Sequence, residues 1–194
     1  MGNALVVIDM QESFRARPLW RTLHNPDLIA NVRRLVEAAR AAGHDVVWVL
    51  HAEPGSGDEF DPVNGYVRIM AELEPGKGEP IITKSSHNAF STTNLQQQLT
   101  MRGTGSVTIC GLRTEQCVET TARVASDFGY EVDFVTDATG TFPIPNWEAP
   151  AALTVEELLA DPRTLAAADV VTRTEYALAG RFATVTTTDA YLGV

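Results

Sequence analysis

The chain has 194 residues, of which 44% are hydrophobic and 21% are charged, and its formal net charge at pH 7 is −10. This length is sufficient for one α/β domain that buries a substantial core without disulfides or a structural metal. The longest basic cluster is Arg33-Arg34, so we expect no nucleic-acid partner, because phosphate binding needs a positive surface. We also expect no membrane association, since no apolar stretch approaches the ~18 residues that a membrane span needs.

The first residues and the two cysteines predict the cellular compartment. Residues 4–8 form an apolar run that reaches Asp9 without the basic region, length or cleavage site of a signal peptide. Cys110 and Cys117 lie seven positions apart, which is not the pattern of a disulfide framework. We therefore expect a cytoplasmic protein with both thiols reduced.

Six short apolar segments are predicted to be strands. Most of them are continuous runs of Val and Ile, which is typical of parallel strands that are covered on both faces. Helical patterns alternate with these runs, and such alternation predicts a parallel sheet with right-handed crossovers. One such domain is predicted to cover residues 1–194. The predicted strands are 5–8, 45–50, 80–83, 106–110, 131–136 and 182–186.

The helical patterns carry start and stop signals. Asn25 as N-cap and Pro26 at the first helical position are predicted to open a helix that ends at Gly43. Thr154 and Glu157 form a capping-box pattern at the start of a short helix. The remaining helices are predicted to open at Thr92 or Thr93 and end at Gly103, to run from Cys117 to Phe128, and to cover 162–168 or beyond.

Two stretches interrupt the regular pattern. Residues 51–65 are rich in Gly, Pro and acidic residues, and are predicted to form a mobile loop over the edge of the sheet. Residues 142–147, Phe-Pro-Ile-Pro-Asn-Trp, are long and stiff for a connection after a strand. This segment predicts a lid or an oligomer contact.

The fourth strand and the helix after it contain the most informative cysteine. Gly111 is predicted to break the strand, and Thr114 to cap a helix that begins near Glu115. Cys117 then lies in the first helical turn, where backbone N–H groups lower a thiol's pKa and bind an oxyanion. The alternative interpretation is a small buried core residue, because free cysteines are often buried.

Three ionisable residues follow predicted strands at the same edge of the sheet. Asp9, Lys84 and Cys117 follow the first, third and fourth strands, and ligands of open α/β sheets bind at that edge. Separately, each has a structural explanation as a cap, a solvated strand end or a core thiol. Together they provide the acid, base and nucleophile that covalent catalysis needs.

Four segments around these positions carry a recognisable pattern: 4–11 with Phe14, Lys84 with Ala89-Phe90, 111–118 with Thr121-Ala122, and 137–139. They resemble the isochorismatase-like cysteine hydrolases, which include nicotinamidases, isochorismatases and N-carbamoylsarcosine amidases. This resemblance implies a three-layer α/β/α sandwich with a six-stranded parallel sheet, no cofactor, and a homodimer or homotetramer that acts on a small molecule.

The resemblance implies a catalytic triad of Asp9, Lys84 and Cys117. Asp9 would accept the thiol proton, Lys84 would favour the thiolate, and Cys117 would attack an amide carbonyl to form a thioester. The backbone N–H groups of Arg113 and Cys117 are implied to hold the oxyanion, beside a cis peptide at Leu112–Arg113. The implied substrate-binding residues are Gln11, Phe14, Phe90 and Arg113.

The substrate class is indicated by departures from the family's subgroups. Nicotinamidases carry Asp-x-His-Pro after the second strand and bind a metal, whereas this chain has His51-Ala52-Glu53-Pro54. Two ligands without a third make a poor metal site, so we expect no metal, with His51 and Glu53 as polar loop residues. Arg113 is suited either to pair with a substrate carboxylate or to point to solvent. Further pocket candidates, which are equally typical of oligomer contacts, are Trp20, His87, Phe142 and Trp147.

These observations favour hydrolysis of the C–N bond of a small, planar amide or ureido compound, because Cys117 supplies a thiol nucleophile. An isochorismatase-type vinyl-ether hydrolase is an alternative, since that reaction does not need the thiol. A third interpretation is a non-catalytic α/β protein that binds a metabolite or a partner.

Overall fold

All six predicted strands are present in a computed structural model that describes residues 2–194, and the first five extend beyond at least one of their predicted ends. The strands are β1 (Gly2–Ile8), β2 (Asp45–His51), β3 (Ile81–Lys84), β4 (Thr104–Leu112), β5 (Glu131–Gly140) and β6 (Thr184–Thr186). They form one parallel sheet with the order β3-β2-β1-β4-β5-β6.

Helices cover both faces of the sheet, as the three-layer prediction requires. The helices are α1 (Glu12–Arg15), α2 (Leu28–Ala41), α3 (Leu95–Met101), α4 (Glu119–Asp127), α5 (Val155–Ala160), α6 (Ala167–Leu178) and α7 (Thr188–Leu192). Alternate residues of β1 point to opposite faces: Ala4, Val6 and Ile8 lie in one core layer with α3 and α4, and Leu5 and Val7 lie in the other with α2. The continuous apolar run therefore reflects burial on both sides.

The direction in which strands are added to the sheet changes between β1 and β4. The chain moves outward from β1 to β2 and β3, and then returns to place β4 on the other side of β1. The crevice at the carboxyl ends of two such strands is the usual ligand site of an open α/β sheet. Asp9 follows β1 directly, and Cys117 follows β4 by five residues.

The close approach of β1 and β4 depends on Gly111. Its φ is +119°, and a Cβ atom there would lie 1.9 Å from the carbonyl oxygen of Ile8, so any side chain would collide with the neighbouring backbone. The prediction that Gly111 ends the strand is wrong, because β4 continues to Leu112. The glycine is needed for the strand contact.

Several predicted helix boundaries differ from the structure. The helix α2 begins at Leu28, three residues after Asn25, although the Asn25 side-chain oxygen does accept a hydrogen bond from the Asp27 backbone N–H at 3.1 Å. The Asn25 side-chain amide also donates to the Asp137 carbonyl, 2.8 Å away. The helix predicted over 162–168 or beyond is present as α6, but it begins only at Ala167, since Leu165 pairs with Ile144 in an antiparallel bridge. The capping box of Thr154 and Glu157 is confirmed.

No helix within residues 2–194 combines the length and hydropathy that crossing a membrane requires.

Candidate active site

The structure brings Asp9, Lys84 and Cys117 into contact. The Nζ atom of Lys84 lies 2.8 Å from Oδ2 of Asp9 and 3.3 Å from Sγ of Cys117. The Asp9 and Lys84 side chains are fully excluded from solvent, and Cys117 is 5% exposed. Lys84 is therefore not a solvated strand end: it is the buried last residue of β3, reaching past β2 to the end of β1.

Cys117 lies in a π-helical turn, Thr114–Val118, that leads directly into α4. Both Gln116 and Val118 donate their backbone N–H groups to the carbonyl oxygen of Arg113. The predicted N-cap role of Thr114 is wrong, because its hydroxyl donates to the Thr139 hydroxyl of β5 instead, 2.9 Å away. The Leu112–Arg113 peptide bond is cis. The turn thus holds the thiol against the ends of β1 and β3.

Burial keeps the Cys117 proton on sulfur in the free protein. Burial first, and then the charge of Asp9, raise the pKa of the Cys117 thiol to about 12, although Lys84 acts in the opposite direction. Lys84 favours the thiolate, as expected, but the expectation that the helical turn lowers the pKa of this thiol is wrong, because desolvation outweighs the favourable charges. Deprotonation of the thiol must accompany its reaction.

Asp9 is suited to take that proton. Burial raises the pKa of its carboxyl group against the opposing effect of the Lys84 ammonium. Its Oδ1 atom is buried and has no hydrogen-bond partner among residues 2–194, so one oxygen is free to accept a proton. The backbone of Asp9 is left-handed, with φ +52°, and is held by a 2.8 Å hydrogen bond from its N–H to the Val49 carbonyl. Such strained residues are concentrated at functional sites.

Two histidines outside the predicted triad, His51 and His87, flank this cluster. His51 Nδ1 lies 3.3 Å from Lys84 Nζ, and its Nε2 lies 2.9 Å from Glu53 Oε1. His87 Nδ1 lies 3.8 Å from Cys117 Sγ, and its ring is stacked on that of His51 at 6.3 Å. His51 is therefore a buried strand end, and the prediction of a polar loop residue is wrong for it. Its position after an apolar run, at the same edge as Lys84, was the available signal.

No group of three or more His, Cys, Asp or Glu side chains within residues 2–194 is arranged to hold a metal ion. The nearby pair of His51 and Glu53 is engaged in its own hydrogen bond and in the contact with Lys84. Glu53, His51 and Lys84 therefore form a chain of hydrogen-bonded side chains.

The structure separates the implied substrate-binding residues into two groups. Gln11 is fully buried, and its side-chain amide makes hydrogen bonds with the backbone N–H and carbonyl of His51 at 2.7 and 3.0 Å, which fixes the end of β2 against the end of β1. Phe90 lies in the same core layer as Cys117. Its ring packs on Phe128 and Tyr130 at 5.2 and 6.3 Å, beyond the opposite end of α4.

Phe14 belongs to an aromatic group on the other core layer. The centre of its ring lies 5.0 Å from that of Phe60 and 6.3 Å from that of Phe142. The Trp20 ring lies on Phe142 as well, with 6.3 Å between the ring centres. Phe60 also contacts the ring of His51 edge-on, which connects this group to the cluster around Lys84. Trp147, by contrast, is 88% exposed and makes no part of this group.

Arg113 is directed inward. Its guanidinium lies over the Phe142 ring at 5.5 Å and forms an ion pair with Glu115 at 2.8 Å, and only 18% of the side chain is exposed. Its Nε atom is buried without a hydrogen-bond partner among the described residues. Arg113 also lines a cavity of about 640 Å³, and most of the other lining residues belong to the segments 17–21 and 143–158.

The switch-point topology and the cluster at its edge define a doubly wound α/β protein with reactive side chains at its ligand crevice. The chain matches the Isochorismatase domain family over residues 3–167 and belongs to that family. It is 34% identical to a streptothricin hydrolase of Streptomyces noursei, over 74% of this chain and 56% of that protein. It is 32% identical to Nicotinamidase 3 of Arabidopsis thaliana, over 72% of this chain and 73% of that protein.

The architecture is also that of solved structures in the family. A crystal structure of an isochorismatase-family protein from Chromobacterium violaceum matches with a TM-score of 0.86 and 25% identity, covering 99% of this chain and 92% of that chain. The predicted family and the six-stranded fold are thus confirmed. Members of the family are hydrolases, and amidohydrolases are among them.

Proposed function

We propose that this protein is a cysteine-dependent hydrolase that cleaves the C–N bond of a small amide or ureido compound through a thioester. The observation that carries the proposal is the buried contact of Asp9, Lys84 and Cys117 at the switch point of the sheet. A nucleophile, a base and a cation within hydrogen-bonding reach meet the requirements of covalent acyl transfer.

In the proposed acylation step, Oδ1 of Asp9 takes the thiol proton while Sγ of Cys117 attacks the carbonyl carbon. The Lys84 ammonium remains paired with Oδ2 of Asp9 and contacts the sulfur as negative charge develops. The backbone N–H groups of Arg113 and Cys117 stabilise the oxyanion of the tetrahedral intermediate. Asp9 then transfers its proton to the leaving nitrogen, and the C–N bond breaks.

In the proposed deacylation step, Asp9 removes a proton from a water molecule that attacks the thioester carbonyl. Collapse of the second tetrahedral intermediate breaks the C–S bond, and the proton on Asp9 returns to the sulfur. A carboxylate whose pKa is raised by burial is suited to both directions of this transfer, because it takes up a proton more readily than an exposed carboxylate does.

The pocket walls favour a planar substrate with a negative charge. Arg113 lines the cavity of about 640 Å³, and its guanidinium lies over the ring of Phe142. The unpartnered Nε of Arg113 provides a donor for a carboxylate, which guanidinium groups bind well. The streptothricin hydrolase and nicotinamidase relatives support the hydrolase class, while the substrate of this chain is proposed from its own residues.

The test is a panel of small amides and ureido acids scored for ammonia release, using the wild type, Cys117→Ala and Cys117→Ser. We expect both variants to lose turnover while retaining the wild-type circular dichroism spectrum. Cys110→Ser is the matched control, because Cys110 is a buried thiol in the opposite core layer and should keep its activity. Full activity in Cys117→Ala would refute the mechanism. Turnover of isochorismate that survives this substitution would instead favour the vinyl-ether reaction.

A further inference from the structure

The ammonium group of Lys84 is completely saturated by three acceptors. An ammonium carries three donors and no acceptor, and Lys84 is only 1% exposed, so each unpaired proton would be costly. Its neighbours are Oδ2 of Asp9 at 2.8 Å, Sγ of Cys117 at 3.3 Å and Nδ1 of His51 at 3.3 Å. The first two are parts of the proposed reaction. The third has no assigned role.

The tautomer of His51 follows from this contact. Because Lys84 can only donate, Nδ1 of His51 must accept, and the ring proton must therefore be on Nε2. That nitrogen lies 2.9 Å from Oε1 of Glu53, so it donates to a carboxylate whose side chain is half-exposed. The result is a continuous chain of hydrogen bonds from the solvent-facing Glu53 through His51 to the buried Lys84.

Other contacts also fix the orientation of His51. Gln11 binds both the backbone N–H and the carbonyl of His51. Phe60 packs edge-on against its ring at 5.7 Å, and His87 stacks on it with planes 8° apart. His51 is also directly paired in the sheet register with Lys84. The orientation of the His51 imidazole is thus fixed by hydrogen bonds to the His51 backbone, by packing against both sides of the ring and by the hydrogen bond at Nε2.

We propose that His51, oriented by Glu53, is a positioning residue that holds the Lys84 ammonium between Asp9 and Cys117. The inference rests on the proposed function, since it assigns His51 to the same site. Removing the acceptor leaves one Lys84 proton unpaired in a buried site, and the ammonium moves away from the sulfur to find another partner. Misplacement of a catalytic group by about 1 Å costs on the order of 10²-fold in rate.

The experiment compares His51→Leu with His51→Asn, because the Asn side-chain oxygen occupies nearly the position of Nδ1. We expect kcat to fall about 10²-fold in His51→Leu with little change in KM, and to recover most of that loss in His51→Asn. Glu53→Ala should give an intermediate fall through loss of ring orientation. His44→Leu is the matched control, since His44 lies just before β2 begins, at the opposite end of the strand that His51 ends, and it should match the wild type.

Two measurements without substrate keep this inference separate from the proposed function. Alkylation of Cys117 by iodoacetamide should slow in His51→Leu and stay at the wild-type rate in His51→Asn, because the Lys84 cation favours the thiolate. Nitrogen-15 NMR should show the neutral His51 ring with its proton on Nε2. Wild-type alkylation in His51→Leu, or a proton on Nδ1, would overturn the inference even if Cys117→Ala had abolished turnover. If no amide is hydrolysed, these two readouts still decide it.

Discussion

Replacing Lys84 by Met should reveal the cost of leaving Asp9 alone in the interior. The two charged atoms are 2.8 Å apart, and both side chains have no exposed surface. With an effective dielectric constant of about 20, their Coulomb attraction is about 6 kcal/mol, which is an upper limit for the loss. Breaking buried ion pairs by removing one partner costs about 3–5 kcal/mol. We expect a loss of this size in the free energy of unfolding at pH 8.

The loss of unfolding free energy in Lys84→Met should increase as the pH rises. Burial already raises the pKa of Asp9 above 3.8, and removal of the Lys84 charge raises it further. The folded variant therefore binds a proton more tightly than its unfolded chain, so this contribution to stability is complete below the unfolded pKa and is lost as pH rises through the folded pKa. The difference in unfolding free energy between Lys84→Met and the wild type should be small at pH 4 and grow towards pH 8.

Urea denaturation at pH 4, 6 and 8 measures this difference. In Asp9→Asn/Lys84→Met no buried charge remains, so most of the loss should be recovered at pH 8. Arg102→Met is the surface control, because the Arg102–Asp45 pair is 31% and 41% exposed and should be worth less than about 1 kcal/mol. A loss that is the same at all three pH values, or a double variant as unstable as Lys84→Met, would refute the reasoning.

Two further substitutions test the electrostatics and the strand contact. Asp9→Asn should abolish turnover yet speed alkylation of Cys117 at pH 9, because the Asp9 charge raises the pKa of the thiol; slower alkylation would contradict this. Gly111→Ala should lose at least about 3 kcal/mol of unfolding free energy, measured in urea, since its Cβ would lie 1.9 Å from the Ile8 carbonyl. Gly43→Ala, with a φ of +73° and open space around it, should lose only about 1 kcal/mol; equal losses would refute the steric argument.

Local patterns in the sequence were sufficient to predict the fold. The apolar runs, the glycines after helices and the capping box of Thr154 each depend on interactions within a few residues, so they can be recognised along the chain. The shared location of Asp9, Lys84 and Cys117 could also be predicted from the sequence, because residues at the carboxyl ends of parallel strands meet at one edge of the sheet. Thr114 does not cap the helix, because its hydroxyl donates to Thr139, a residue distant in sequence that local patterns do not reveal.

Only the tertiary structure decided which side chains surround these three residues. His51 meets Lys84 because β2 lies beside β3 in a particular register, and that register is set by packing between elements far apart in the chain. Phe90 packs on Phe128 at the end of α4, a contact that the family resemblance did not imply. The pKa of Cys117 was equally inaccessible from sequence, because burial by the assembled layers outweighs the nearby lysine. Sequence determined which chemical groups reach the edge of the sheet, and packing determined their partners and protonation states.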